Sequence, residues 1–206
     1  MNATLYYIHD PMCSWCWGYR PVWDTLKLNF PSTVQIEYVA GGLAADSHNP
    51  MPAEQQAMIK AHWRTIEEKL GTQFNYEFWD TNTPRRSTYN ACRAVIAAHN
   101  QGHQVAMVEA IQQAYYLRAL NPSDKEVLID LAEELSLDLS RFVTDLSSET
   151  TEEVLMQQIN FARELTQQGF PSLVLEHNGV RHSIAINYQN YDITLAKLNY
   201  LLNQIE

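Results

Sequence analysis

Hydrophobic positions along the chain change their period several times. Leu5-Tyr6-Tyr7-Ile8 is a short apolar run rich in strand formers, stopped by the turn-forming His9-Asp10-Pro11. Trp23, Leu26 and Phe30 then recur at helical spacing until Pro31 closes the segment, and Pro21 inside it predicts a kink. Val34-Gln35-Ile36-Glu37-Tyr38-Val39 alternates apolar with polar and predicts a second strand. Pro50 and Pro52 mark the entry to a long helical stretch, with helices expected over 53–70, 87–100, 104–120, 125–135, 140–146 and 150–168. Pro122-Ser123-Asp124 and Thr151-Glu152-Glu153 are start signals within it. At Gly169-Phe170-Pro171-Ser172 the helical period stops. Leu173 to Glu176 reads as a strand, His177-Asn178-Gly179 as a hairpin turn and Val180 to Ile186 as the partner strand. A last helix over 191–204 carries Leu195, Leu198, Leu201, Leu202 and Ile205 on one side. The order is βαβ, a helical block, then ββα, with no internal repeat or low-complexity tract.

Composition narrows the reading. A chain of 206 residues, 46% apolar and 18% charged, buries enough surface in one or two cores to fold without a disulfide or metal scaffold. Its formal net charge of -10 argues against a nucleic-acid or anionic-membrane surface. No apolar run approaches the roughly 20 residues that span a bilayer. Met1-Asn2-Ala3-Thr4 carries no base and the first apolar run ends at His9-Asp10, so no secretory signal is expected and the chain is assigned to the cytoplasm. In that compartment thiols stay reduced, and a C-x-x-C is catalytic or metal-binding more often than structural.

Two of the 3 cysteines form such a motif, Cys13-Ser14-Trp15-Cys16, where a strand and turn hand over to a helix. At that place free backbone N–H groups and the helix dipole favour a thiolate at Cys13, the attacking form. Cys16, one turn deeper, is placed to resolve the mixed disulfide that results. Ser14-Trp15 brings no cation, so the thiolate would rest on backbone N–H groups, Ser14 and His9, with Asp10 acting against it. A zinc site wants four ligands, and beyond the pair only Cys92 and scattered histidines remain, so no metal is expected. His99 and His103 have i, i+4 spacing, but Gly102 between them marks a helix end and both read as surface residues.

The chain resembles the DsbA-like branch of the thioredoxin superfamily, and within it the FrnE-like protein disulfide oxidoreductases and isomerases. The resemblance is carried by Asp10-Pro11-Met12-Cys13-Ser14-Trp15-Cys16-Trp17-Gly18, Gly41-Gly42-Leu43 and Gly169-Phe170-Pro171-Ser172. It implies an α/β thioredoxin-like fold with a DsbA-like helical insertion: residues 1–48 plus 166–206 forming the thioredoxin-like domain and 49–165 the inserted one. It also implies that Pro171 is a cis-proline beside Cys13 and Cys16, with the backbone before it pairing with substrate. The residues alone favour an ordinary helix-stop proline, because cis X-Pro bonds are uncommon in folded proteins. No bound cofactor is implied, glutathione entering only as a thiol co-substrate. The expected partners are proteins or small molecules carrying disulfides or dithiols.

Around the motif, Trp15, Trp17, Met12, Tyr19 and Phe170 read either as an apolar surface for unfolded polypeptide or as core, with Trp15 and Phe170 the expected substrate contacts. Arg85-Arg86 reads as a solvated helix start, or as a contact for a carboxylate of glutathione or an acidic substrate. Cys92, among Ala91, Ala94, Val95 and Ala98, reads as a buried core thiol. The leading function is thus thiol–disulfide exchange through Cys13 and Cys16. The alternative is a glutathione-dependent transferase or isomerase similar to the kappa-class glutathione transferases and 2-hydroxychromene-2-carboxylate isomerases. Against it, both cysteines are kept, and Asn190-Tyr191-Asp192-Ile193 lacks the Arg of those families' glutathione step. A binding module that ignores the cysteines comes last, because it leaves the pair without a role.

Overall fold

A computed structural model describes residues 3–203. Among the described residues the chain forms a four-stranded sheet and nine helices. β1 (Ala3–His9), α1 (Ser14–Leu28) and β2 (Val34–Ala40) come first. Then follow α2 (Ala53–Leu70), α3 (Phe78–Thr81), α4 (Tyr89–His99), α5 (Gln104–Tyr116), α6 (Lys125–Glu134), α7 (Leu139–Leu146) and α8 (Glu149–Leu165). β3 (Ser172–His177), β4 (Val180–Ile184) and α9 (Tyr191–Asn203) close the chain. Ile205, expected on the buried side of the last helix, lies outside the described residues.

The sheet runs β2-β1-β3-β4. β1 pairs parallel with β2 from Ala3 opposite Val34 to His9 opposite Ala40, and antiparallel with β3. It is therefore central and covered on both faces, which is why its sequence is a continuous apolar run. Leu5 and Tyr7 face Tyr19, Trp23 and Leu26 of α1 and Leu198 and Leu201 of α9. Tyr6 and Ile8 face the other way, toward Phe161 and Ala162 of α8. The β3–β4 hairpin turns through Asn178 and Gly179, at φ 52 and 76. Two consecutive positive φ values make the tight turn that the Asn-Gly pair predicts.

The helical block has its own core, in which Trp63, Phe78, Met107, Ile111, Tyr116, Leu128 and Phe142 are all buried. A further cluster joins it to the sheet: Ala40 of β2, Cys92 and Ile96 of α4, and Leu155 and Ile159 of α8. Most of the expected helices appear with shifted ends, for local reasons. α7 starts at Leu139 because the Asp138 carboxylate accepts the Arg141 N–H at 3.0 Å. α5 stops at Tyr116, where Arg118 and Leu120 turn back to the Gln113 and Ala114 carbonyls and Ala119 takes φ 54. α8 stops at Leu165, before Gly169 at φ 81. α1 ends at Leu28, short of Phe30, whose ring meets Trp23 edge-on at 6.0 Å, and Pro21 lies within it. α3, a single turn, was not expected at all. Among the described residues no helix is long and apolar enough to cross a membrane.

Candidate active site

Where β1 ends, the Cys13 N–H donates to the Asp10 carbonyl at 3.0 Å, closing a turn that delivers Cys13 to the N-cap of α1. The Cys13 carbonyl accepts the Trp17 N–H at 3.1 Å. Cys13 is thus the last extended residue before the helix, at the end where unpaired N–H groups gather. All three cysteines are free thiols, with Cys13 6% exposed and Cys16 wholly covered. The expected exposed nucleophile is therefore mostly sheltered, with the Phe170 carbonyl against its thiol. Burial pushes the Cys16 thiol well above its ordinary range, and Cys13 beside it adds to the shift.

The Cys13 thiol donates to the Phe170 carbonyl at 3.6 Å, across 157 residues of sequence. Phe170–Pro171 is a cis peptide. The segment is tied down by Ser172, whose hydroxyl donates to the Gly169 carbonyl at 2.7 Å. Cys13, Cys16, Phe170 and Pro171 therefore occupy one place, as the resemblance implied. The Phe170 ring lies over Gly41, where an added Cβ would come within 2.1 Å of ring carbon. A Gly41→Ala substitution must push the ring, and with it the carbonyl that meets Cys13. It is expected to slow thiol–disulfide exchange about tenfold or more while costing about 1–3 kcal/mol of stability, read from exchange kinetics and urea unfolding. An unchanged exchange rate in a folded variant would show that Phe170 does not act at the site.

Asp10 is held by partners that no local sequence pattern shows. It is wholly buried, and its carboxylate accepts the Met12 N–H (2.8 Å), the Leu43 N–H (2.7 Å), the Thr88 hydroxyl (2.7 Å) and the Cys92 thiol (3.6 Å). Thr88 is the N-cap residue of α4, which starts at Tyr89, two residues after the expected start at 87, and its hydroxyl is spent on Asp10 rather than on the helix. Burial raises the Asp10 pKa above the usual carboxylate range, and these hydrogen bonds act against that rise. Cys92 is buried as expected, with this bond as its polar partner.

His9 does not supply the charge that its position suggested. Burial lowers its pKa to about 4, so at neutral pH it is an uncharged ring, stacked on Tyr7 at 5.2 Å and edge-on to Tyr38 at 5.5 Å. Among the described residues its Nδ1 has no hydrogen-bond partner. Because the folded state binds this proton less tightly than the unfolded chain, stability falls as pH drops from about 6.5 towards about 4, by about 3 kcal/mol. Asp10, raised rather than lowered, offsets part of that loss in the acid range. His9→Phe should keep the stack, lose nothing at pH 7 and flatten this part of the pH dependence. Urea midpoints between pH 4 and 7 check it, and an unaltered slope would contradict it.

The apolar candidates divide. Met12 and Tyr19 are core, and Trp17 stacks on Tyr116 at 5.7 Å while its Nε1–H donates to the Gln73 carbonyl at 3.0 Å. Trp15 and Phe170 are half-buried. The Trp15 ring meets Tyr188 edge-on at 5.3 Å, and Tyr188 in turn meets Tyr19 at 5.6 Å. Tyr188 sits in the connection before α9 and carries no motif, so sequence reasoning passed over it. Arg85 is not a solvated helix start: it pairs with Asp124 and bridges to Pro50 ahead of α4. His99 and His103 are exposed, and among the described residues no cluster of ligands could hold a metal ion.

Comparison with known proteins identifies the family and the fold. A family model described as thioredoxin matches residues 6–195. The ClpXP adapter protein SpxH of Bacillus subtilis is 25% identical over 202 residues, covering 94% of this chain and 67% of its own. That of Halalkalibacterium halodurans is 27% identical over 182 residues, covering 85% and 59%. The chain therefore spans about two thirds or less of these relatives. A solved Nitrosomonas europaea protein, described as a protein disulfide isomerase on assignment, superposes with a TM-score of 0.88 at 26% identity over 100% of both chains. The cytosolic disulfide reductase DsbM of Pseudomonas aeruginosa shares the fold with a TM-score of 0.79 at 23% identity, over 97% of this chain and 98% of its own.

Proposed function

Because this chain belongs to the thioredoxin family and has the DsbA-like form of its fold, we propose that it is a thiol–disulfide oxidoreductase whose redox pair is Cys13 and Cys16. The observation that carries the reading is the placement of Cys13 at the N-cap of α1 with its thiol on the Phe170 carbonyl, and Cys16 buried one turn below.

The chemistry follows from that placement. The Cys13 thiolate attacks one sulfur of a substrate disulfide, whose S–S bond breaks as the mixed disulfide forms, and the departing sulfur takes up a proton. Cys16 loses its proton, attacks Cys13 Sγ and releases the second substrate thiol. The substrate has gained two electrons and two protons, and Cys13–Cys16 is oxidised. Run backwards, the same steps oxidise a dithiol. Trp15, Phe170 and Tyr188 line the approach and would contact substrate, while the Phe170–Pro171 backbone would lie alongside it. Substrates are proteins or small molecules with disulfides, glutathione serves as a thiol co-substrate, and the cytoplasm is the assigned compartment.

The test is covalent trapping. Cys16→Ser protein exposed to glutathione disulfide should accumulate an adduct on Cys13, seen by mass spectrometry, whereas Cys13→Ser,Cys16→Ser protein should not. No adduct, or no Cys13–Cys16 bond in the oxidised wild type, would overturn the reading. The name of the Bacillus relatives supports a second reading, in which the same face binds a client as a ClpXP adapter would. Client capture that survives replacement of both cysteines would favour it.

A further inference from the structure

Asp10 stands three residues before Cys13, and a buried carboxyl normally gives up its charge. The arrangement around this one opposes that. Oδ1 accepts the Met12 N–H, and Oδ2 accepts donors from Leu43, Thr88 and Cys92 together. Two of the four donors are amide N–H groups, which cannot accept, and four donors match the roughly four acceptor sites that an ionised carboxylate offers over its two oxygens. The donor set fits the ionised form. Three of the donors come from outside the redox loop: Leu43 from the connection after β2, and Thr88 and Cys92 from the start of α4.

The ionisable groups that feel this charge surround the redox pair. Cys16 of α1, Cys92 of α4, and Tyr115 and Tyr116 of α5 all have their proton loss made harder, first by burial and in part by the Asp10 charge, although at Cys16 a hydrogen bond to the Asp10 backbone acts the other way. His9 beside it is neutral. Arg93, next to Cys92, is engaged by Asp46, Glu152 and Asn90 instead. Among the described residues Asp10 has no cationic hydrogen-bond partner.

We propose that Asp10 is a positioning residue that sets the redox poise of the Cys13–Cys16 pair, its charge maintained by the helical block through Thr88 and Cys92. The proposal rests on the redox reading of that pair. Reducing the Cys13–Cys16 bond takes up two electrons and leaves two thiols, one of which ionises to act. A fixed negative charge nearby disfavours that thiolate, so the reduced pair is stabilised less and gives its electrons to a substrate disulfide more readily.

Two variants test it: Asp10→Asn, which removes the charge, and Thr88→Val, which keeps the carboxyl but withdraws a donor that holds it ionised. The readout is the pH midpoint for iodoacetamide alkylation of the reduced pair, which loss of structure elsewhere would not shift in a defined direction. Asp10→Asn is expected to lower the midpoint by about one unit, a tenfold gain in thiolate below it, and Thr88→Val to lower it by about half as much. Equilibration with glutathione at a pH above that midpoint should then hold more of each variant as dithiol than of the wild type. If Asp10→Asn does not fold, Thr88→Val decides alone. A folded variant whose midpoint stays put or rises overturns the proposal. That failure is separable from failure of the function, since wild-type protein that forms no Cys13–Cys16 disulfide at all would sink the redox reading itself.

Discussion

Replacing Cys13 by Ala is expected to lower disulfide reduction by at least about 10³-fold, the largest functional effect of any single substitution in the chain. The size follows from the absence of a substitute. Cys16 is fully covered, and burial holds its thiol well above the ordinary range, so it neither reaches an incoming disulfide nor ionises readily. Cys92 is equally covered and its thiol is committed to Asp10. The fold should hardly notice the change: the lost Sγ gives up one long hydrogen bond to the Phe170 carbonyl, worth about 1 kcal/mol or less. Insulin or glutathione-disulfide reduction, compared with the urea midpoint of the same preparation, separates the two effects. A variant that keeps a tenth of the wild-type rate would show that the nucleophile lies elsewhere.

The largest effect on stability is expected at Trp63, near the middle of α2. Its side chain is wholly buried and six rings meet it: Phe74 at 4.9 Å, Trp79 at 5.0 Å, Tyr116 at 5.4 Å, Tyr115 at 5.6 Å, Tyr76 at 5.8 Å and Phe78 at 6.0 Å. Neighbours on that many sides are themselves bulky and cannot collapse together into the space, so Trp63→Ala should cost about 3–5 kcal/mol. Against a total of about 5–15 kcal/mol for a typical domain, that is enough to leave part of the protein unfolded at physiological temperature. Tyr116 is also stacked on Trp17, in the first turns of α1, so the disturbance reaches the helix that carries Cys13. Urea unfolding should show a lower midpoint with an unchanged slope, and Trp63→Phe should recover much of the loss. A loss under 1 kcal/mol would mean that the cluster repacks.

What sequence could reveal was set by range. Cys13 and Cys16 are one turn apart, so their relation is written into three consecutive spacings, and the strand before them and helix after them supply the context. The hairpin was legible through Asn178-Gly179 for the same reason. Pro171 was not: its approach to Cys13 depends on β3 lying beside β1, and only the resemblance pointed to it. Asp10 was read as a local charge opposing the thiolate, whereas its partners come from positions 12, 43, 88 and 92, which no local pattern connects. The neutral state of His9 depends on Tyr7 and Tyr38 closing over it, one from its own strand and one from the next. α3 spans only four residues, too few to show a period. Tyr188 joins the site because the connection into α9 folds back over Trp15, a contact without a sequence signature.

The third cysteine has a use that does not depend on catalysis. Cys92 lies in the cluster where β2, α4 and α8 meet, with none of its surface open to solvent. An alkylating reagent can modify it only when that junction parts. In protein carrying Ala at both Cys13 and Cys16, Cys92 becomes a single-site clock for native-state opening: its labelling rate, followed across low denaturant concentrations, reports whether the helices leave the sheet as a separate unit or only when the whole molecule unfolds.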